Sequence, residues 1–320
     1  MGRGTKIWLI VAICLIVTGC ILFGVAMRML KWDFEKLSTT EFVTNEYAIT
    51  EGFSDISVTA DTADISFVVS ADGQRKVVCR EQVNATHTVA VKDGALVIEL
   101  VDRRAWHEYI GINLKAPSIT VYLPQGEFGA LTVRSSTGFV KLPQQLRFES
   151  MVITLSTGHL TCLSSTNGAM NLAASTGDIT VQNVSAKSVN LCVSTGAVRA
   201  EGITCSDAMT VNVSTGRARL KDVQCSSFSS IGNTGDLFME NVVAAGDFSL
   251  RRTTGNVEFT RCDAANICIK TSTGWVKGDL KSAKVFITRS DTGSVDVPKT
   301  VTGGRCEITT STGDIKVTVS

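Results

Sequence analysis

The chain has 320 residues, a formal net charge of +1 at pH 7 and only 19% charged residues. A chain this close to neutral has no basic surface for the phosphate backbone, which excludes nucleic acid as a partner. There are 27 glycines and 4 prolines, and no linker long enough to separate independent enzymatic domains, so we expect one continuous fold.

The first predicted element is an apolar segment, residues 7–27, that follows a basic tail at residues 1–6. At about 1.5 Å per residue an uncharged helix of this length crosses the hydrocarbon core of a bilayer. The pattern favours a signal anchor that stays as a single transmembrane helix. A bacterial lipoprotein signal, with Cys20 as the lipidated residue, and an ordinary cleaved signal are the alternatives. The apolar run continues past Cys20, which argues against lipidation.

Lys and Arg flank this segment on both sides, so their count does not decide the orientation. We expect a cell-membrane protein with one span and an extracellular β-rod. Residues 28–52 are predicted to form a juxtamembrane stalk. Residues 53–130 read as short strands separated by hairpin turns, without a strict repeat. Because a solenoid needs atypical terminal repeats, we expect this region to be an irregular β cap.

The rest of the chain, residues 131–320, is organised by one short phrase, Ser-Thr-Gly or a close variant, which recurs every 19 or 20 residues. A fixed period of this size is typical of a solenoid. Glycine takes the φ > 0 conformation of a tight corner at no steric cost. The predicted structural corners are Gly138, Gly158, Gly177, Gly196, Gly216, Gly235, Gly255, Gly274, Gly293 and Gly313.

Aligning the repeats on these glycines shows which side chains point inward. The positions two and four residues after each glycine, and seven before it, hold no strongly polar residue, and the position between the first two is mostly polar. Five residues before the glycine, only Ser230 and Thr288 break the apolar column. Alternation of period two predicts a strand on each side of the corner. The fold class is therefore all-β, a single-chain β-solenoid of about ten rungs, roughly 45–50 Å long.

The final residues, Val317–Ser320, follow the last corner with no visible cap. We expect an open last rung there, which is either frayed or an edge for pairing. Such an edge predicts end-to-end self-association.

The chain has ten cysteines, of which Cys205 and Cys225 share one phase of the repeat, a rung apart. A rung spacing of about 4.8 Å lies within the Cα range of a disulfide, so this pair is a candidate bond; unpaired thiols are the alternative. No C-x-x-C spacing occurs, and the three histidines match no metal or triad spacing, so we expect no metal and no cofactor.

Two groups are weak candidates for chemistry. Arg199 and Arg219 stack on one outward column, with Glu258, Lys277 and Asp296 on the same column. Mixed charge of this kind is typical of a solvated face, and the alternative is the active site of a polysaccharide-cleaving β-helix enzyme. The run 106–109, Trp-His-Glu-Tyr, is a candidate contact site or a loop tip that packs on its own domain.

The chain resembles a bacterial putative-adhesin family of β-strand-repeat domains of unknown function. The resemblance rests on the Ser-Thr-Gly-Asp-Ile runs at Ser175–Ile179 and Ser311–Ile315 and on the strand Ile119–Pro124, and it covers about residues 53–320. It implies a single-chain β-solenoid, often membrane-anchored, with no catalytic residues to carry over.

Together these observations predict a non-enzymatic, membrane-anchored β-solenoid displayed at the bacterial cell surface, with an adhesin-like or structural role. The implied partner is a protein or a polysaccharide at that surface. The alternatives are a carbohydrate-active β-helix enzyme and a self-assembling envelope-stress scaffold or sensor.

Overall fold

A computed structural model describes residues 2–29, 31–33, 41–106 and 116–320. It begins with one helix, α1 (Arg3–Met29). The stretch Gly4–Met29 has a mean hydropathy of 2.9 in its most apolar window, and none of that window is buried in the protein. By length and composition α1 is able to cross a membrane, a property that it shares with signal sequences.

All other regular elements among the described residues are strands. In chain order they are β1 (Phe42–Ala48), β2 (Asp55–Thr62), β3 (Asp64–Val69), β4 (Lys76–Gln82), β5 (Ala85–Lys92), β6 (Ala95–Asp102), β7 (Ser118–Leu123), β8 (Gly126–Leu142), β9 (Leu146–Cys162), β10 (Ser165–Thr166), β11 (Ala169–Thr176), β12 (Ile179–Ala186), β13 (Ser188–Cys205), β14 (Ala208–Cys225), β15 (Ser227–Thr234), β16 (Leu237–Ala244), β17 (Asp247–Thr254), β18 (Val257–Cys262), β19 (Asn266–Thr273), β20 (Val276–Leu280), β21 (Lys284–Thr292), β22 (Val295–Asp296), β23 (Gly304–Thr312) and β24 (Ile315–Val319).

The strands stack in parallel as a β-solenoid of about ten turns, which confirms the predicted fold class. Each turn has one strand before the Ser-Thr-Gly corner and one after it, and β13 and β14 run continuously through theirs. These two pair in register across the corner, with Gly196 opposite Gly216 and Val198 opposite Ala218. The register aligns the apolar columns of successive turns, so the core is one continuous stack of buried side chains inside the coil.

The turn has a second sharp bend that the sequence pattern describes only as a loose polar loop. Six residues after the corner glycine, five successive turns adopt a left-handed backbone with φ between 50° and 65°. Asn and Asp tolerate this region better than other side chains, and Gly has no penalty there. The five residues are Asn183, Gly202, Asp222, Asn241 and Arg261.

At the C-terminal end, the last two turns stack in the reverse of their sequence order. β23 lies between β19 and β21, and β24 pairs with β20 on one side and with β22 on the other. The turn of Gly313 is therefore the penultimate one, and the turn of Gly293 is terminal. The prediction that Val317–Ser320 forms the open last rung is wrong.

The reason lies in the composition of the two repeats. The inward column that holds buried Ile308 and Thr310 in the Gly313 turn holds half-buried Thr288 and Ser290 in the Gly293 turn. Placing the Gly293 turn outermost keeps Ile308 buried and leaves Thr288 and Ser290 at the open end instead, which costs less hydrophobic burial at this column. Val295 accordingly remains 45% exposed in a column that is otherwise buried.

At the N-terminal end, two turns without the Ser-Thr-Gly phrase extend the solenoid. β2 and β3 stack on β8, with Thr62 opposite Thr137, and β6 and β7 stack in parallel on β2 and β3. Residues 53–130 thus contain solenoid turns as well as a cap. The cap itself is antiparallel: β5 pairs with β6, and β4 pairs with β7.

β1 adds a further antiparallel strand on β4, with Phe42 opposite Gln82. Part of the expected stalk is therefore built into the sheet. Antiparallel pairing ends the parallel stack and gives the first turns a covered edge, as a terminal repeat requires.

The reversed stacking order is open to a direct test with two engineered cysteine pairs. Lys277 lies opposite Lys316, and Asp296 lies on the far side of Lys316. We expect Lys277→Cys with Lys316→Cys to form a disulfide, because adjacent strands lie about 4.8 Å apart. The matched pair, Lys277→Cys with Asp296→Cys, spans two strand spacings, about 9.6 Å, and is expected to stay reduced. Peptide mass mapping distinguishes them, and the opposite result would restore the sequential order.

Candidate functional site

The ten corner glycines lie in one line along the rod, and each has φ between 128° and 147°. A Cβ placed on any of them would collide with a backbone carbonyl of the corner below it. The Ser and Thr that precede each glycine, or the Asn, Thr or Asp in place of Ser, are exposed. The corners are thus both a close backbone approach between turns and an exposed stripe rich in hydroxyl groups.

The outward column that holds Arg199 and Arg219 is a set of local pairs. Nη1 of Arg199 donates to Oδ2 of Asp178 at 3.0 Å. Burial by itself would raise the pKa of Asp178, but the hydrogen bonds from Arg199 and from the Ala197 backbone N–H outweigh it and lower the pKa. The guanidinium of Arg219 lies 5.5 Å from the centre of the Phe238 ring. Both arginines thus contact neighbouring side chains of the rod, Arg199 through an ion pair and Arg219 through an aromatic ring.

A shallow groove of about 190 Å³ runs beside this column, lined among others by Arg219, Phe238, Glu240 and Glu258. Glu240 pairs with Arg261 at 3.2 Å. Neighbouring charges also pair across turns, as Lys221 does with Glu201 at 3.5 Å. An aromatic face between paired charges provides stacking and hydrogen-bonding groups for a ligand on an open surface.

A buried cation interrupts the apolar core at one turn. Arg252 is 5% exposed, and its Nη2 donates to Oγ of Ser230 at 2.9 Å. Ser230 donates in turn to the Val211 carbonyl at 2.9 Å. A Cβ on Gly232 would collide with the guanidinium, so the missing side chain provides its space. Burial lowers the pKa of Arg252 to about 10, with nearby Asp236 opposing the shift. This contact accounts for Ser230 in an apolar column.

The cysteine pair of the solenoid lies on neighbouring turns. Cys205 and Cys225 are 3% and 8% exposed, and both are thiols in the structure. The proximity of the two thiols lowers the pKa of Cys205 and raises that of Cys225, which burial raises further. Cys205 is thus the sulfur that would ionise first and attack in an exchange reaction. Cys20, the candidate for lipidation, lies exposed within α1.

We propose that oxidation joins Cys205 to Cys225. Because the bond closes a loop of about 20 residues, it should raise the free energy of unfolding by about 3 kcal/mol. Peptide mapping after mild oxidation tests for the bond, and denaturant unfolding tests for the gain. Cys205→Ser should remove both, whereas Cys192→Ser, which changes an exposed thiol, should keep both. Two thiols that remain open to alkylation after oxidation would refute the pairing.

The cap holds a cluster that the sequence reasoning missed. Cys79 and Glu81 are inward-facing on β4 and fully buried, and His87 on β5 is 4% exposed. Nδ1 of His87 lies 2.7 Å from Oε2 of Glu81, and the His87 backbone N–H donates to the same oxygen at 2.7 Å. The available signal was Cys-x-Glu on the buried phase of a strand, followed by a tight turn and a histidine.

Of the run 106–109, only Trp106 is among the described residues, and it is 77% exposed. The other three residues of this predicted contact site, 107–109, lie outside them.

The fold and its surfaces define a β-solenoid with an antiparallel cap and one apolar helix able to span a membrane. The chain belongs to the Toastrack DUF4097 family, whose model matches residues 53–237. A search of curated proteins finds no match.

Several solved structures match this chain at low sequence identity. A putative adhesin from Bacteroides fragilis is 14% identical, covers 88% of this chain and 97% of its own, and has a TM-score of 0.42. A putative lipid binding protein from Parabacteroides distasonis is 15% identical, covers 75% and 95%, and has a TM-score of 0.45. A putative cell adhesion protein from Clostridium sporogenes is 10% identical, covers 88% and 100%, and has a TM-score of 0.29.

Proposed function

We propose that the protein is a non-enzymatic binding rod, held at the cell membrane by α1 and displayed at the outer face of a bacterial envelope. One observation carries the proposal: an exposed apolar helix of membrane-spanning length is joined by a short connection to the capped end of a solenoid. A helix with that much exposed apolar surface needs a bilayer or a partner. The cap then lies near the membrane, and the rod extends away from the membrane. The exposed Ser and Thr side chains of the corners run along the length of the rod.

The groove beside Arg219 and Phe238 is the proposed contact surface for a polysaccharide or protein of the cell surface. The Phe238 ring offers a stacking face, and the charges of neighbouring turns offer hydrogen bonds. We assign it to binding rather than catalysis because the groove is shallow and its Glu240 is engaged in an ion pair with Arg261. The names of the structural neighbours, putative adhesins among them, agree with this proposal but do not carry it.

The location is tested by protease treatment of intact cells that express the chain with a cleavable tag after Ser320. We expect the tag to be removed without lysis, because one span places everything after α1 on one side of the membrane. A cytoplasmic marker protein should remain intact in the same cells, and permeabilised cells provide the full-cleavage control. A tag that is cleaved only after permeabilisation would place the rod inside and end the adhesin proposal.

A second candidate function is self-association, because the terminal turn has an open strand edge. Among the described residues, β21 pairs on one side only, with β23. Its outward-facing Val285 and Ile287 are 37% and 48% exposed. Such an edge is a template for pairing with a second copy. It lies on β21 and not on Ile315–Val319, where the sequence pattern predicts it.

If this edge pairs, the purified chain should form concentration-dependent oligomers that Val285→Lys with Ile287→Lys abolishes, since charge on an edge blocks pairing. The same kind of change on a strand that is paired on both sides, Thr210→Lys on β14, is the control and should leave assembly intact. Analytical ultracentrifugation measures both. A chain that stays monomeric at high concentration would remove this candidate.

A further inference from the structure

The antiparallel cap brings three metal-ligating side chains into one dry place. Cys79 and Glu81 are two residues apart on β4 and therefore point to the same face of the strand. The tight turn after β4 pairs Gln82 with Ala85, which places His87 of β5 beside them. One ligand atom from each of the three residues lies within 4.8 Å of the other two. All three residues are buried.

The hydrogen bonds of the cluster leave one strong donor–acceptor site unused. Oε1 of Glu81 accepts a hydrogen bond from Nδ2 of Asn45 at 2.7 Å. Oε2 of Glu81 lies 2.7 Å from the backbone nitrogen of His87 and 2.7 Å from its Nδ1. Nε2 of His87 is buried with no hydrogen-bond partner among the described residues. An unpaired buried polar atom costs about 1–3 kcal/mol, so hydrogen bonds alone do not satisfy this cluster. Nδ1 of His87 and Oε2 of Glu81 already face each other across 2.7 Å, so these two atoms, with the Cys79 sulfur, are the ones that one ion could contact together.

We propose that Cys79, Glu81 and His87 bind a divalent transition-metal ion of the Zn²⁺ class in the cap. Thiolate, imidazole and carboxylate are the three ligand types that Zn²⁺ takes in proteins, whereas Ca²⁺ and Mg²⁺ require oxygen ligands. The charges also balance: one 2+ ion against a thiolate and a carboxylate gives a neutral centre, which a dry site favours.

The metal would replace the proton of the Cys79 thiol. Zn²⁺ takes cysteine as the thiolate, so binding would release one proton from the cluster. Because Tyr47 donates to the His87 carbonyl at 3.1 Å and Asn45 to Glu81, β1 also supports the cluster. A bound ion would then join β1, β4 and β5 and stabilise the end of the solenoid nearest α1.

The test uses the full chain, purified in detergent and stripped of metal, with Cys14, Cys20, Cys192 and Cys268 changed to serine to remove the more accessible thiols. Titration with Co²⁺ should give one ion per chain and a thiolate-to-cobalt charge-transfer absorption, which Zn²⁺ then removes by displacement. Zn²⁺ should also raise the melting temperature. X-ray absorption of the zinc form should show one sulfur at about 2.3 Å with nitrogen and oxygen at about 2.0–2.2 Å.

Cys79→Ser should abolish the charge-transfer band and weaken Zn²⁺ binding at least tenfold. Cys162→Ser, which alters an equally buried thiol outside the cluster, should change neither. A parent chain with no charge-transfer band, or a band that survives Cys79→Ser, would overturn the proposal and leave Glu81 and His87 as a structural pair. If Cys79→Ser does not fold, the parent titration and its X-ray absorption spectrum still decide the question.

Discussion

The backbone contact at the corner glycine is the constraint on which the solenoid depends. In each of the ten turns with a corner glycine the chain bends where φ is positive, and the corner sits directly on a carbonyl of the turn below. Only a residue without Cβ allows both conditions at once, since L side chains are strained at this φ and would strike that carbonyl. The close approach keeps successive corners in register, as the pairing of Gly196 with Gly216 shows. Register in turn aligns the apolar columns, and the columns form the core.

The fold of the middle turns could be predicted from sequence because residues at the same position of successive repeats stack on one another there. At the C-terminal end this correspondence fails: the repeats of Gly293 and Gly313 carry the same pattern, and the pattern fits either stacking order. What decides the order is the polarity of Thr288 and Ser290 against Ile308, a difference in burial energy that periodicity does not reveal. At the N-terminal end β2 and β3 form a turn although Ala63 replaces the corner glycine, so a search for the phrase does not find it.

The candidate sites were less predictable than the fold for the same reason. Ser230 is polar in an apolar column because Arg252, on the neighbouring strand, occupies the space that Gly232 leaves and donates a hydrogen bond to it. The cluster of Cys79, Glu81 and His87 lies in the antiparallel cap, where no repeat aligns the residues and spacing along the chain says little about distance. In contrast, Cys205 and Cys225 lie within the repeat, and their shared phase was enough to predict that they are neighbours.

The most direct test of this account compares two glycine substitutions by equilibrium unfolding of the full chain in detergent. Gly216 has φ of 136° and lies against the carbonyl of Gly196, whereas a Cβ at Gly126, also in a strand, meets no atom within 4 Å. The account predicts that Gly216→Ala lowers the free energy of unfolding by more than about 3 kcal/mol. Gly126→Ala should change it by no more than about 0.5 kcal/mol. Equal small effects of the two substitutions would contradict the claim that backbone contact at the corners holds the solenoid in register.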